Sequence, residues 1–171
     1  MKQFETIFNF FTQKLAGEIE EINKRVPKKL YEPVIYSLNM GGKRIRPVLL
    51  LMAYQMFRSD FEKALPAAYA IELFHNFTLL HDDIMDDALL RRNFKPVHIE
   101  YSNNAAILSG DAMSILSYEY ITKCDAANIK EIIELFTNTA LKICEGQQFD
   151  MDFESTNNVS VDEYINMIGL K

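Results

Sequence analysis

The chain has 171 residues, with 18 basic and 24 acidic side chains and a formal net charge of -6. Residues are 49% hydrophobic and 25% charged, the balance of a globular protein, and the length suits one domain with a sizeable core. The acidic excess argues against a general nucleic-acid binder, and the longest unbroken apolar run, Val48–Tyr54, is far short of a membrane span.

Taken in chain order, the apolar residues fall at helical spacing. Phe4, Ile7, Phe8, Phe11, Leu15, Ile19, Ile22 and Val26 recur three and four apart with Lys and Glu between them, which predicts an amphipathic helix stopped by Pro27. A short helix is expected around Leu30–Leu38, broken by Asn39-Met40-Gly41-Gly42. Pro47 suits the first turn of the next helix, which runs to about Phe57. Another begins near Pro66 and continues through Leu80 into an acidic stretch, residues 91–97 are a loop, and helices follow near 103–123 and 127–153. Ser160-Val161-Asp162-Glu163 is a capping-box start for a last helix. Its stripe of Val161, Tyr164, Ile165 and Ile168 wants a partner, and Gly169 reads either as its cap or as part of a longer element. No segment alternates with period two, so the predicted class is all-α. Cys124 and Cys144 are too few for a disulfide framework and lack zinc-ligand spacing. They are expected to be core thiols in a reducing cytosol. Glu5 and Gln13 interrupt any signal-peptide core, and the expected location is cytoplasmic.

The densest chemistry is His81-Asp82-Asp83-Ile84-Met85-Asp86-Asp87, with four carboxylates in six residues. Asp82/Asp86 and Asp83/Asp87 stack like charges four apart, and each such pair destabilises a helix by about 0.2–0.5 kcal/mol. A helix ending soon after adds the unfavourable end of the macrodipole. A hard cation offsets both. Mg2+ is commonly held by one or two carboxylates plus substrate phosphates, so Asp82 and Asp86 suit a magnesium–phosphate site. The competing reading is a solvated acidic helix end with Asp87 paired to Arg91. A calcium loop is disfavoured, having neither the glycine turn nor the closing glutamate.

Basic clusters stand on either side. Gly41-Gly42-Lys43-Arg44-Ile45-Arg46-Pro47 opens a helix, where cations are unfavourable unless they serve an anion, and Arg91-Arg92 follows the acidic stretch. The phosphate-loop pattern G-x-x-x-x-G-K-[ST] is absent. A carboxylate pair with two basic clusters points to a site handling more than one diphosphate.

GGKRIRP, then His75, then LLHDDIMD with Arg91-Arg92 shortly after, resembles the trans-isoprenyl diphosphate synthases (polyprenyl synthetases). Gly110-Asp111 in AAILSGDAM, and Gly146-Gln147 with Asp150 in EGQQFDMD, extend the resemblance from about residue 40 to the end of the chain. It implies an all-helical isoprenoid synthase-type bundle around a central cavity. It also implies a prenyltransferase that condenses an allylic diphosphate with isopentenyl diphosphate, using Mg2+ and working as a homodimer. By the same resemblance, Lys43, Arg46, His75 and Arg92 would bind isopentenyl diphosphate. Asp82 and Asp86 would ligate magnesium bridging to the allylic diphosphate, Asp83 would support them, and Arg91 would contact that diphosphate. Lys171 resembles the lysine of the family's Lys-Thr pair. In the family the allylic C–O bond ionises, the isopentenyl double bond attacks, and a proton is lost to the released diphosphate. No side-chain nucleophile is needed.

Two departures stand out. Asn93 occupies a place where the family usually has glycine, and the family's second aspartate-rich motif is absent. Residues 1–171 are therefore expected to be the N-terminal portion of a single isoprenoid synthase domain, truncated after its first half and inactive or impaired by itself. Product length in the family is set below the first Asp motif. Thr78, Phe77 and Phe74 lie four, five and eight residues before Asp82, about 6, 7.5 and 12 Å down the helix. A bulky Phe77 with a small Thr78 resembles short-chain synthases making farnesyl or geranylgeranyl diphosphate. The alternative is a non-catalytic isoprenoid-diphosphate-binding or regulatory subunit, or a helical interaction protein whose charges are solvated faces. GGKRIRP with His75 argues against a class I terpene cyclase. His81 is expected to be structural, and His98 is given no chemistry.

Overall fold

A computed structural model describes residues 2–171, and every regular element in them is helical. In chain order these are α1 (Lys2–Lys24), α2 (Lys28–Asn39), α3 (Ile45–Gln55), a 3-10 turn (Phe61–Ala64), α4 (Leu65–Met85), α5 (Val97–Glu100), α6 (Asn103–Ile121), α7 (Ile129–Glu154) and α8 (Val161–Leu170). The predicted helices are all present. The 3-10 turn and the single turn of α5 are additions, too short to leave a periodic signature. Contacts divide the chain into two compact units, Met1–Asp125 and Ala126–Lys171.

The first unit is organised on α4 and α6, which pack extensively on each other. α4 buries Ala68, Ala70, Leu73, Phe74 and Leu80, while α6 offers Ala106, Ser109, Gly110, Met113 and Ser117. These α6 residues recur at three and four and are mostly small, so the two backbones come close. The tightest point is Gly110, where an added Cβ would stand 2.6 Å from Cδ2 of His81 and closer still to its Nε2. α1 contributes Ile7, Phe11, Leu15 and Ile22, all buried, each worth about 1.5–3 kcal/mol of transfer free energy. Phe4, Phe8 and Ile19 of its predicted stripe are only part-buried, and Val26 is 75% exposed. α1 is tied to α6 by Tyr120 Oη, which donates to Glu18 at 2.6 Å, and the chain just after α1 by Arg25 Nη2, which donates to Glu119 at 2.6 Å.

In the second unit α8 begins with the predicted capping box. The Ser160 hydroxyl accepts from the Glu163 N–H at 3.2 Å, and the Glu163 carboxylate accepts from the Ser160 N–H at 2.8 Å. α8 rests on α7 near Gly146, where an added Cβ would meet Leu170 Cβ at 2.9 Å. Met167 is the buried residue of α8, whereas Val161, Tyr164, Ile165 and Ile168 remain exposed. Gly169 lies within the last helical turn. Cys144 is exposed on α7 and Cys124 is half-buried, so neither is a core thiol; an apolar residue type alone does not say which helix face it occupies.

Candidate active site

The link between α2 and α3 is built from unusual backbone. Gly41 and Gly42 have φ of 75° and 138°, and Arg44 has φ of 46°, so three of four residues are left-handed. Only glycine adopts these angles freely, which accounts for the glycine pair. Arg44 is held there by its side chain. It is ion-paired to Glu72 of α4, and its Nη2 donates to the Leu38 carbonyl at 2.6 Å. Asn76 completes the arrangement, donating from Nδ2 to the Glu72 carboxylate at 2.7 Å and to the Glu72 carbonyl at 2.8 Å. One of the three cations at this helix start thus serves an internal carboxylate. Lys43 and Arg46 are left to face outward.

Arg92 reaches the same place from the loop after α4. Arg91 and Phe94 exchange two backbone hydrogen bonds, of 2.8 and 2.9 Å, around Arg92 and Asn93. Both central residues have positive φ, 53° and 68°, the pattern of a tight type I′ turn. Asn is the non-glycine residue that best tolerates this region, so Asn93 fits this turn at the place where the resemblance leads one to expect glycine. The turn aims Arg92 at the glycine pair, where its guanidinium donates to the Gly41 carbonyl and fills the space beside Gly42.

The result is a cavity of about 480 Å³ lined by Met40, Gly42, Lys43, Arg44, Ile45, Arg46, Glu72, His75, Arg92 and Asn93. All four residues expected to bind isopentenyl diphosphate are among them. Arg46 Nη1 lies 3.3 Å from His75 Nε2. A guanidinium only donates, so Nε2 accepts and Nδ1 carries the imidazole proton. Burial and then the charges of Arg46, Arg92, Arg44 and Arg91 push the His75 pKa down to about 4, leaving it neutral at physiological pH. Burial, followed by the charge of Arg44, likewise lowers the Arg92 pKa. The cavity concentrates positive charge without an anion to offset it, apart from Glu72.

The acidic cluster lies further along α4, whose last residue is Met85. The helix closes with a Schellman motif. The Ala88 N–H donates to the Asp83 carbonyl at 3.0 Å and the Asp87 N–H to the Ile84 carbonyl at 3.4 Å, with Asp87 itself left-handed at φ 47°. The four aspartates therefore have four different positions. Asp87 occupies the terminating position and Asp86 the C-cap, while Asp82 is in the last turn with 23% of its side chain exposed. Asp83 is buried and receives Arg91, whose Nε donates to it at 2.8 Å and whose Nη2 makes a second bond. Arg91 Nη2 also lies 4.0 Å from Asp82 Oδ2. The hydrogen bond to Asp83 raises the Arg91 pKa. The competing Asp87–Arg91 pair is thus not the one formed: the helix ends between them, and the turn at 91–94 carries Arg91 back to Asp83.

Asp82 and Asp86, the two carboxylates that the resemblance assigns to a cation, stand at the negative end of the α4 dipole. Among the described residues no group of three or more His, Cys, Asp or Glu side chains is gathered for a metal. Two hard oxygen donors without a third fit an ion that draws its other ligands from water and phosphate, which is the habit of Mg2+.

Below the aspartates the side chains form an aromatic ladder. Phe74 and Phe77 meet edge to face at 5.2 Å, and Phe77 meets His81 at 4.8 Å. Nε2 of His81 lies 3.1 Å from the Ile107 carbonyl and 3.8 Å from Asp111 Oδ1, so His81 has the expected structural role. Thr78 donates its hydroxyl to the His75 carbonyl at 2.8 Å. Lys171 belongs to the second unit, where its ammonium pairs with Asp150. Reading the residues in isolation missed Glu72, Asn76 and the reason for Gly110. The signal for the first two was a polar residue at each of positions 72 and 76 within a mostly apolar stretch of α4.

The family model for polyprenyl synthetases matches residues 27–171. The chain belongs to the polyprenyl synthetase family. It is 40% identical over 147 residues to a geranylgeranyl diphosphate synthase of Methanosarcina mazei, covering 85% of this chain and 45% of that protein. It is 41% identical over 162 residues to a geranylgeranyl pyrophosphate synthase of Geoglobus acetivorans, covering 92% and 51%. A crystal structure of a geranylgeranyl pyrophosphate synthase superposes with a TM-score of 0.92 at 45% identity, over 98% of this chain and 50% of that one. The chain spans about half the length of the relatives it matches.

Proposed function

We propose that this polyprenyl synthetase chain carries the substrate-binding half-reaction sites of a prenyltransferase that joins an allylic diphosphate to isopentenyl diphosphate. The observation that carries this is the cationic cavity of Lys43, Arg46, His75 and Arg92, in which His75 stands on α4, the helix that ends at the aspartate pair. His75 and Asp82 are seven residues apart on α4, so they lie on nearly the same face with about 10 Å between them. That separation suits two diphosphates whose prenyl tails meet between them.

Lys43, Arg46 and Arg92 neutralise the diphosphate of isopentenyl diphosphate, and the neutral His75 donates its Nδ1 proton to it without adding charge. Asp82 and Asp86 would hold Mg2+, which would supply positive charge to the diphosphate leaving the allylic substrate. Asp83 keeps Arg91 beside Asp82, where the guanidinium can share that charge. The relatives named geranylgeranyl diphosphate synthases support a short-chain product; its being farnesyl or geranylgeranyl diphosphate, limited by Phe74, Phe77 and Thr78 below the aspartates, rests on the family resemblance. The reading includes Lys171 as a diphosphate contact, a homodimer and a cytoplasmic location. The family resemblance is what supports these three.

The test is incorporation of radiolabelled isopentenyl diphosphate by the full product of the gene, with geranyl and farnesyl diphosphate as acceptors. Product that disappears in Asp82→Ala is the expected result. Magnesium-dependent binding of both diphosphates without product would favour the non-catalytic binding subunit. Binding of neither would overturn the reading.

A further inference from the structure

Glu72 has no part in the scheme above, yet it lines the cavity as an anion among cations. Its side chain is 2% exposed and that of its partner Arg44 is 6% exposed. A carboxylate in that position is expensive unless it is fully paired, and Arg44 and Asn76 supply the pairing. What the pair holds is the α2–α3 link. Gly41 and Gly42 give that link no conformational preference of their own, and Arg44 sits in a left-handed conformation that a non-glycine residue resists. The tether from Glu72 through the Arg44 guanidinium to the Leu38 carbonyl spans the link from one end to the other. Lys43 precedes Arg44 and Arg46 follows it by two, so the backbone pinned at Arg44 sets where both are presented. The Gly41 carbonyl that receives Arg92 belongs to the same segment.

We propose that Glu72 is a positioning residue for the diphosphate: acting through Arg44, it fixes the 41–46 segment in the shape that turns Lys43, Arg46 and Arg92 to one anion. It also engages the guanidinium of Arg44, itself a lining residue, so that Lys43, Arg46, Arg92 and a neutral imidazole are left to meet the diphosphate. This rests on the reading of the cavity as a diphosphate subsite.

Stability alone is a poor explanation, because buried ion pairs are commonly replaceable by apolar residues without loss of stability. That gives the test. Titration calorimetry with inorganic pyrophosphate and with isopentenyl diphosphate is run on the parent chain, on Glu72→Gln, and on the paired apolar replacement Arg44→Met with Glu72→Leu. Thermal unfolding of each is followed in parallel. The paired replacement keeps the fold when Glu72→Gln does not, since it leaves no unpartnered buried charge. The expected result is a parent that binds and a folded paired replacement that binds both ligands at least ten-fold more weakly. In the active full gene product, KM for isopentenyl diphosphate rises by the same factor while KM for the allylic diphosphate is unchanged. A folded paired replacement with parental affinity would overturn the positioning role and leave the subsite intact. A parent that binds neither ligand would overturn the subsite itself.

Discussion

Replacing Gly110 by alanine probes a close contact between α6 and the His81 side chain of α4, the residue before Asp82. Carbon atoms in ordinary contact are about 3.5–4.0 Å apart, whereas the new methyl would stand 2.6 Å from Cδ2 of His81, a deficit of about 1 Å. His81 has little freedom to retreat. Its far side meets the Phe77 ring at 4.8 Å, and its Nε2 is engaged with the Ile107 carbonyl. Either the ring swings away and loses that hydrogen bond, or the two helices part. Overpacking of this kind costs about 1–3 kcal/mol, and the lost bond about 1 kcal/mol. Alanine returns about 1 kcal/mol through helix propensity. The expected net loss is about 2 kcal/mol, read as a urea midpoint lowered by about 1 M at unchanged slope. In a His81→Ala background the clash is gone and only the propensity gain remains, so Gly110→Ala should then stabilise by up to about 1 kcal/mol. A Gly110→Ala protein as stable as its parent, or the same penalty in both backgrounds, would refute the reasoning.

The depressed pKa of His75 makes stability depend on pH. The unfolded chain takes up this proton near pH 6.5 and the folded chain only near pH 4, so stability is full above about 6.5 and is lost as the pH falls toward 4. An imidazole NMR titration should show His75 titrating near 4 and moving upward when pyrophosphate supplies a negative partner; a midpoint near 6.5 without ligand would contradict the arrangement. Asn93→Gly should leave stability unchanged or slightly raised, because position 93 has φ 68°, while Asn93→Val should lower it by about 1–2 kcal/mol in urea unfolding. Ser160→Ala removes the cap of α8 and should weaken that helix by about 1 kcal/mol, seen as faster amide exchange confined to its first turn. Arg91→Lys should lower activity more than binding of isopentenyl diphosphate, because lysine cannot make the two bonds that Arg91 gives Asp83.

Much of the first unit was legible locally. Apolar spacing of three and four marked the helices, and Pro27 and Gly41-Gly42 marked where they stop. The cations at 43, 46 and 92 stand at a helix start or in a loop whose chemistry is readable within a few residues, whereas His75 lies inside α4 and was grouped with them by the family resemblance; the structure lines one cavity with all four. The role of the four aspartates was not, since their spacing is the same whether or not the helix continues. A helix ending at Met85 puts Asp87 in the left-handed position that closes it and frees Arg91 for Asp83.

By itself, the sequence determined the helical class, the order of the elements and which charged clusters could meet anions and cations, since periodicity, capping and turn preference act over a few residues. Only the tertiary structure decided which partners meet: Arg44 with Glu72 across 28 positions, Gly110 with His81, and Asp83 rather than Asp87 with Arg91. Those choices depend on how closely α4, α6 and the α2–α3 link approach one another. Burial then decides which charges must be paired and which remain to bind a ligand.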